Sequence, residues 1–124
     1  MASTPPRIVA IGEVLWDLLP AGPQLGGAPA NFACHARDVG GAVELVSAVG
    51  DDALGREILR RMEARGVGTA HVAVLPDRPT GTVDVALDAA GKPTYTIVEG
   101  VAWDFVPWSD ALGALAASAD VLCW

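Results

Sequence analysis

Six consecutive residues, Gly26-Gly27-Ala28-Pro29-Ala30-Asn31, have types and spacing that suit ligand binding. Glycine carries no Cβ, so backbone there can approach a ligand closely. Pro29 fits a first helical position, and a helix starting here presents free N–H groups and the positive end of its dipole. Asn31 supplies both a donor and an acceptor, which suits sugar hydroxyls. The same six residues equally suit a plain glycine-rich turn into a helix. Asp17 is a second candidate. Its carboxylate can accept hydrogen bonds from two vicinal hydroxyls of a polyol, each contributing about 1.5–3 kcal/mol. Taken alone, Asp17 also reads as a surface acid beside a turn, and Glu13 is a weaker case of the same kind. Of four tryptophans, Trp16 and Trp103 are the two able to line a sugar pocket by stacking on the apolar face of a ring.

Other patterns point away from chemistry. The first apolar run ends at Gly12-Glu13-Val14, not at a G-x-G-x-x-G, and no G-x-x-x-x-G-K-[ST] occurs, so neither common nucleotide loop is present. His35 and His71 have no ligand at helical spacing, and Asp51-Asp52 reads more simply as a helix cap than as a metal pair. No metal site is expected.

Several elements must position these residues. Residues 7–11 (RIVAI) read as a buried strand of the kind found in parallel sheets. Residues 14–19 read as a second strand, with Val14, Trp16 and Leu18 on one face and Leu15, Asp17 and Leu19 on the other. Residues 20–27, dense in proline and glycine, read as a loop. A helix is predicted over 29–39, a strand over 43–49, and a helix over 53–65 capped by Asp52. That second helix carries the apolar stripe Leu54, Ile58, Leu59 and Met62. Three strand-like runs follow in succession, 71–75, 80–87 and 94–98, with a hairpin turn at 88–92, and they read as a small antiparallel sheet. A short helix begins after Ser109, and residues 120–124 read as the start of another strand. The order is that of an α/β fold with a small sheet inserted.

Composition narrows the function classes. The chain has 124 residues, 52% hydrophobic and 19% charged, enough for one domain or part of one. Its net charge is −7 with a single lysine, Lys92, which argues against a nucleic acid partner and against an anionic membrane surface. Residues 1–6 have no basic start, and the longest uncharged stretch, 18–36, is broken by three prolines. Neither a signal peptide nor a membrane span is expected. Two distant cysteines, Cys34 and Cys123, fit buried reduced thiols in a cytoplasmic protein.

Taken in order, the motifs resemble the N-terminal part of the ribokinase-like, or PfkB, family of carbohydrate kinases. Residues 8–17 (IVAIGEVLWD) are similar to the family's first strand and sugar-contacting acid, and residues 26–33 (GGAPANFA) to its first signature. Gly40 and Gly50 fall in register with that signature. Residues 50–55 (GDDALG) are similar to the family's G-D-D-x-x-G turn, and Thr80-Gly81 to the opening of its second lid segment. The G-G-A-P-A-N form is most similar to fructokinases, whereas ribokinases usually carry a lysine where Ala28 stands. Many bacterial fructokinases place an arginine near Val98, and residues 94–108 contain none.

The resemblance implies an α/β sandwich with a small β-sheet lid that closes over the sugar. Residues 14–19 and the strands between 80 and 98 would form that lid, which in many members also makes a homodimer. It implies ATP-dependent phosphorylation of a sugar hydroxyl, with Asp17, Gly26, Gly27 and Asn31 facing the sugar and Trp16 and Trp103 lining the pocket. ATP and Mg²⁺ would bind in a C-terminal half, where the family's G-A-G-D motif supplies the catalytic base. No such motif occurs here. The chain is therefore expected to be the substrate-binding and lid portion of one kinase domain over residues 1–124, inactive by itself. The competing expectation is a non-catalytic sugar-binding or dimerising module. A nucleoside kinase of the same family is a third.

Overall fold

A computed structural model describes residues 4–124. Its elements run β1 (Arg7–Ile11), β2 (Leu15–Leu19), β3 (Gly22–Gly26), α1 (Ala28–Asp38), β4 (Ala42–Gly50), α2 (Ala53–Ala64), β5 (Val72–Leu75), β6 (Gly81–Leu87), β7 (Pro93–Ile97), α3 (Asp110–Ser118) and β8 (Val121–Cys123), with a 3₁₀ turn at Ala102–Phe105. The strands make two sheets. The larger has the order β5-β4-β1-β8 and is parallel throughout. The smaller has the order β3-β2-β6-β7.

The larger sheet is built around two apolar strands. Ile8 and Ala10 of β1 face the same core as Val43, Leu45 and Val49 of β4, with Ala30, Ala33 and Cys34 of α1 and Ile58 and Met62 of α2 completing it. Helix α2 forms because an aspartate caps it and its apolar residues recur at helical spacing. Ile58 and Met62 are fully buried, whereas Leu54, at the start of the expected stripe, is 37% exposed. On its outer side Glu57 accepts from Arg60 and Arg61, and these hydrogen bonds hold its carboxyl down at about 2. Helix α1 has proline in its first turn and buries mainly small residues, Ala30, Ala33, Cys34 and Ala36, so it packs close to β1 and β4.

Alternation along β2 holds as expected. Val14 and Trp16 are buried in the main core with Leu18 against it, while Leu15 and Leu19 join Val83 and Val85 in a separate apolar cluster. β2 therefore turns Val14, Trp16 and Leu18 to the body and carries Asp17 on its other face.

Three expectations are corrected. Residues 22–26 form a strand, not a loop, pairing antiparallel with β2 from Leu15↔Gly26 to Leu19↔Gly22. An edge strand tolerates Pro23, whose missing N–H costs no ladder bond when it faces outward. Residues 72–75 do not belong to the smaller sheet. They pair parallel with β4, Ser47↔Val72 to Gly50↔Leu75, closing the β4-α2-β5 unit as a strand after a crossover helix does. Finally, the smaller sheet is mixed, not antiparallel, because β2 and β6 run parallel.

Candidate functional site

The site is assembled where the chain crosses between the two sheets, at the C-terminal ends of β1 and β4. Crevices at that end of a parallel sheet are where open α/β folds bind ligands. Gly12 ends β1 with φ +142°, and a methyl group there would lie 2.7 Å from Cγ of Pro29. The exit of β1 and the start of α1 are thus packed directly on each other.

Asp17 is partly buried, with apolar Leu15 and Leu19 on the same face of β2 and Val83 opposite it on β6. Among the described residues its carboxylate has no hydrogen-bond partner. Its position is set by Gly26, where a methyl group would lie 2.5 Å from Asp17 Oδ2. Gly27 adopts φ +100°, and a methyl group there would lie 2.5 Å from the Glu13 carbonyl oxygen. The position a side chain would take at each of these glycines is filled by the chain itself. Gly26 accommodates the Asp17 carboxylate, and Gly27 makes the tight turn from β3 into α1.

Asn31 lies in the first turn of α1, its N–H bonded to Gly27 O at 2.9 Å. Its side chain is exposed and unpaired among the described residues. Glu13, in the turn between β1 and β2, accepts from the N–H of Ala28 at 3.3 Å and so occupies the start of α1.

The two tryptophans separate. Trp16 is 2% exposed, donates its indole N–H to Leu54 O at 3.0 Å, and lies under the Arg61 guanidinium at 4.9 Å. It faces α2, on the opposite face of β2 from Asp17, so the structure does not bring the two together. Trp103 is half-buried against the smaller sheet, where a methyl group at Gly81 would lie 2.5 Å from its Cδ1. Gly81 pairs with Leu15, two residues before Asp17, which puts Trp103 at the base of the Asp17 face. Its shielded indole N–H has no partner among the described residues.

At Asp52 the structure goes beyond the helix cap expected of it. Asp52 Oδ1 accepts from Gly55 N at 2.8 Å and from the Thr80 hydroxyl at 2.6 Å, and Oδ2 accepts from Thr80 N at 3.0 Å. The Thr80 hydroxyl accepts from Gly50 N at 2.9 Å. Burial alone would raise the Asp52 carboxyl; the bonds from Thr80 and Gly55 and the nearby Arg56 outweigh it and hold the group below its ordinary 3.8. A carboxyl lowered on folding stabilises the fold above its unfolded value and loses that contribution as pH falls through its folded value. The midpoint of thermal unfolding is therefore expected to drop on the acid side of pH 4, and this acid limb to flatten in Asp52→Asn. Glu57 titrates in the same range, so comparing the variant with the wild type is what assigns the effect to Asp52.

The described residues do not fit a nucleoside triphosphate with its metal. Asp52 and Ser109 cap α2 and α3, and Glu13 holds the start of α1. Asp51 faces Arg56 at 3.2 Å. What the site offers instead is an unpaired carboxylate in apolar surroundings, an unpaired amide and an aromatic ring. No described helix is long and apolar enough to cross a membrane.

Comparison with known proteins agrees with this architecture. The pfkB family carbohydrate kinase model matches residues 22–124. The chain is 34% identical over 97 residues to a fructokinase of Salmonella typhimurium, covering 74% of this chain and 32% of that protein. It is 38% identical over 85 residues to a 2-dehydro-3-deoxygluconokinase of Thermoproteus tenax, covering 60% and 26%. Among solved structures, the apo fructokinase of Vibrio cholerae O395 superposes with a TM-score of 0.73 at 28% identity, over 80% of this chain and 36% of that one. A sugar kinase of Pyrococcus horikoshii in complex with ATP gives 0.77 at 27% identity, over 93% and 41%. The chain spans about a third of the length of the curated relatives it matches. With its ribokinase-like α/β fold and a family match over most of its length, this chain belongs to the PfkB family of carbohydrate kinases.

Proposed function

We propose that the chain is the sugar-binding portion of an ATP-dependent, fructokinase-like carbohydrate kinase. The observation that carries this reading is Asp17, a partly buried carboxylate among apolar residues with no protein hydrogen-bond partner among those described. A carboxylate so placed loses hydration without compensation until a ligand donates to it. Vicinal hydroxyls of a neutral sugar do so, whereas a sugar acid brings a second negative charge. Asn31 supplies a donor and an acceptor nearby along the chain, and Trp103 an apolar wall. The smaller sheet acts as the lid over the sugar.

Phosphoryl transfer depends mainly on positioning and on stabilising charge at the phosphoryl group. These residues contribute the first by orienting the acceptor hydroxyl. ATP, Mg²⁺ and the catalytic base belong to parts of the family fold beyond residues 1–124, so this chain alone binds sugar without phosphorylating it. The working protein is cytoplasmic, in keeping with the buried free thiol of Cys34. A homodimer through the lid is supported by Leu87, Tyr95 and Ile97, which lie exposed on the Asp17 face.

Titrating the purified chain calorimetrically with fructose and with 2-dehydro-3-deoxygluconate tests the reading. Fructose is expected to bind and the acid to bind much more weakly. Binding of neither, or preference for the acid, would overturn it.

A further inference from the structure

We propose that Asp52 is a positioning residue for the sugar-binding sheet: by holding Thr80 it fixes where β6 leaves the α/β body, and through β6 it sets the place of Asp17. The consequence for sugar binding rests on the function proposed above.

Capping does not account for this carboxylate. A cap needs one acceptor for one N–H near the helix start, which a serine supplies. Asp52 gives Gly55 that acceptor and directs two further interactions to Thr80, 28 residues away in sequence. Thr80 is 3% exposed and lies immediately before β6. Its hydroxyl is satisfied on both sides, donating to Asp52 and accepting from Gly50.

The glycines that frame Asp52 are crowded by backbone carbonyls, Gly55 by that of Gly50 and Gly50 by that of Arg78, and also by this contact. A methyl group at Gly50 would lie 2.6 Å from Asp52 Oδ2 and 2.7 Å from Thr80 N, and one at Gly55 would lie 2.8 Å from the Thr80 hydroxyl. Side chains at either glycine of G-D-D-x-x-G would therefore crowd both the turn itself and the approach of Thr80 to the carboxylate. Asp51 has no part in it, since its carboxylate faces Arg56.

From Thr80 the path to the site is short. Gly81 pairs with Leu15 and Val83 with Asp17, so register carries the anchored position across to β2. The segment leaving the smaller sheet is fastened at the same place, with Ala102 N bonded to Pro79 O at 2.8 Å and Trp103 packed on Gly81. Breaking the Asp52–Thr80 link frees the origin of β6 while the core under α1 and α2 keeps its contacts.

Two variants test this. Asp52→Ser keeps an acceptor for the α2 cap and loses the bridge; Thr80→Val keeps shape and loses the hydroxyl. Amide hydrogen exchange is followed in β6 and, as the reference, in β1 and β4, alongside calorimetric affinity for fructose. Each variant is expected to speed exchange in β6 about tenfold relative to β1 and β4 and to weaken fructose binding about tenfold, and combining them to add little. Exchange rising equally in all three strands would show a general loss of stability and overturn the proposal. So would fructose affinity unchanged in both variants. If the wild-type chain binds no fructose, the proposed function fails and the exchange contrast alone decides whether Asp52 positions the sheet. If Asp52→Ser does not fold, Thr80→Val carries the same measurements.

Discussion

Asp17→Ala is expected to weaken fructose binding by about 100-fold or more while leaving the thermal midpoint unchanged or slightly raised. The loss follows from two charge-assisted hydrogen bonds at about 1.5–3 kcal/mol each, or roughly 3–6 kcal/mol together. The stability result has a different origin. The carboxylate makes no bond to the protein among the described residues, and it is partly desolvated beside Leu15, Leu19 and Val83. Removing it relieves the partial burial of a charge and deletes no hydrogen bond among the described residues. The combination distinguishes a ligand-binding acid from a structural one, whose removal lowers both quantities. Titration calorimetry and thermal unfolding of the same preparation give the two numbers. An alanine variant that binds within about threefold of wild type would remove Asp17 from the site.

The second large effect is on folding. Gly27→Ala places a methyl group 2.5 Å from the Glu13 carbonyl oxygen and 3.2 Å from Val14 Cα, at φ +100°. Strained backbone costs about 1–3 kcal/mol and overpacking about 1–3 kcal/mol, so the variant should lose about 2–6 kcal/mol. Against a total of about 5–15 kcal/mol, that lowers the thermal midpoint by about 10 °C or more. Gly22→Ala is the internal control. Gly22 also has positive φ, +131°, but no atom lies within 4 Å of the added methyl. It should show the backbone strain without the collision, and so a clearly smaller drop. Equal losses at the two positions would mean that contact with Glu13 does not matter.

Much of this molecule was legible in its sequence because local physics decided it. RIVAI became β1, Asp52 and Ser109 became caps, and Gly91 took positive φ in the hairpin after β6. The two faces of β2 followed from the period of two. What the sequence did not show was set by pairing at a distance. The segment around Pro23 looked like a loop because its composition is that of one, and only an antiparallel partner makes it a strand. Residues 72–75 looked like part of the smaller sheet because three strand-like runs adjoin, yet the first completes a β-α-β unit with β4. At the site, Asp17, Gly26 and Gly27 are brought together by the β2–β3 hairpin. Asn31 follows in the next helix turn. Trp16 lies on the other face of β2, as the period of two requires. Both ends of the tie between Asp52 and Thr80 lie in motifs, GDDALG and Thr80-Gly81, but their spacing in sequence does not show that the two meet, since a capping aspartate looks the same whether or not a distant hydroxyl reaches it.

The divergent burial of the four indoles makes the chain its own optical probe. Trp16 is 2% exposed, Trp103 is half-buried, and Trp108 and Trp124 are 75% and 88% exposed. Their emission therefore comes from three depths. A soluble quencher extinguishes the two outer rings first and leaves light from Trp16 in the body and Trp103 beneath the smaller sheet. Emission with and without quencher then separates events at the two outer rings from events at the two inner ones in one unlabelled sample.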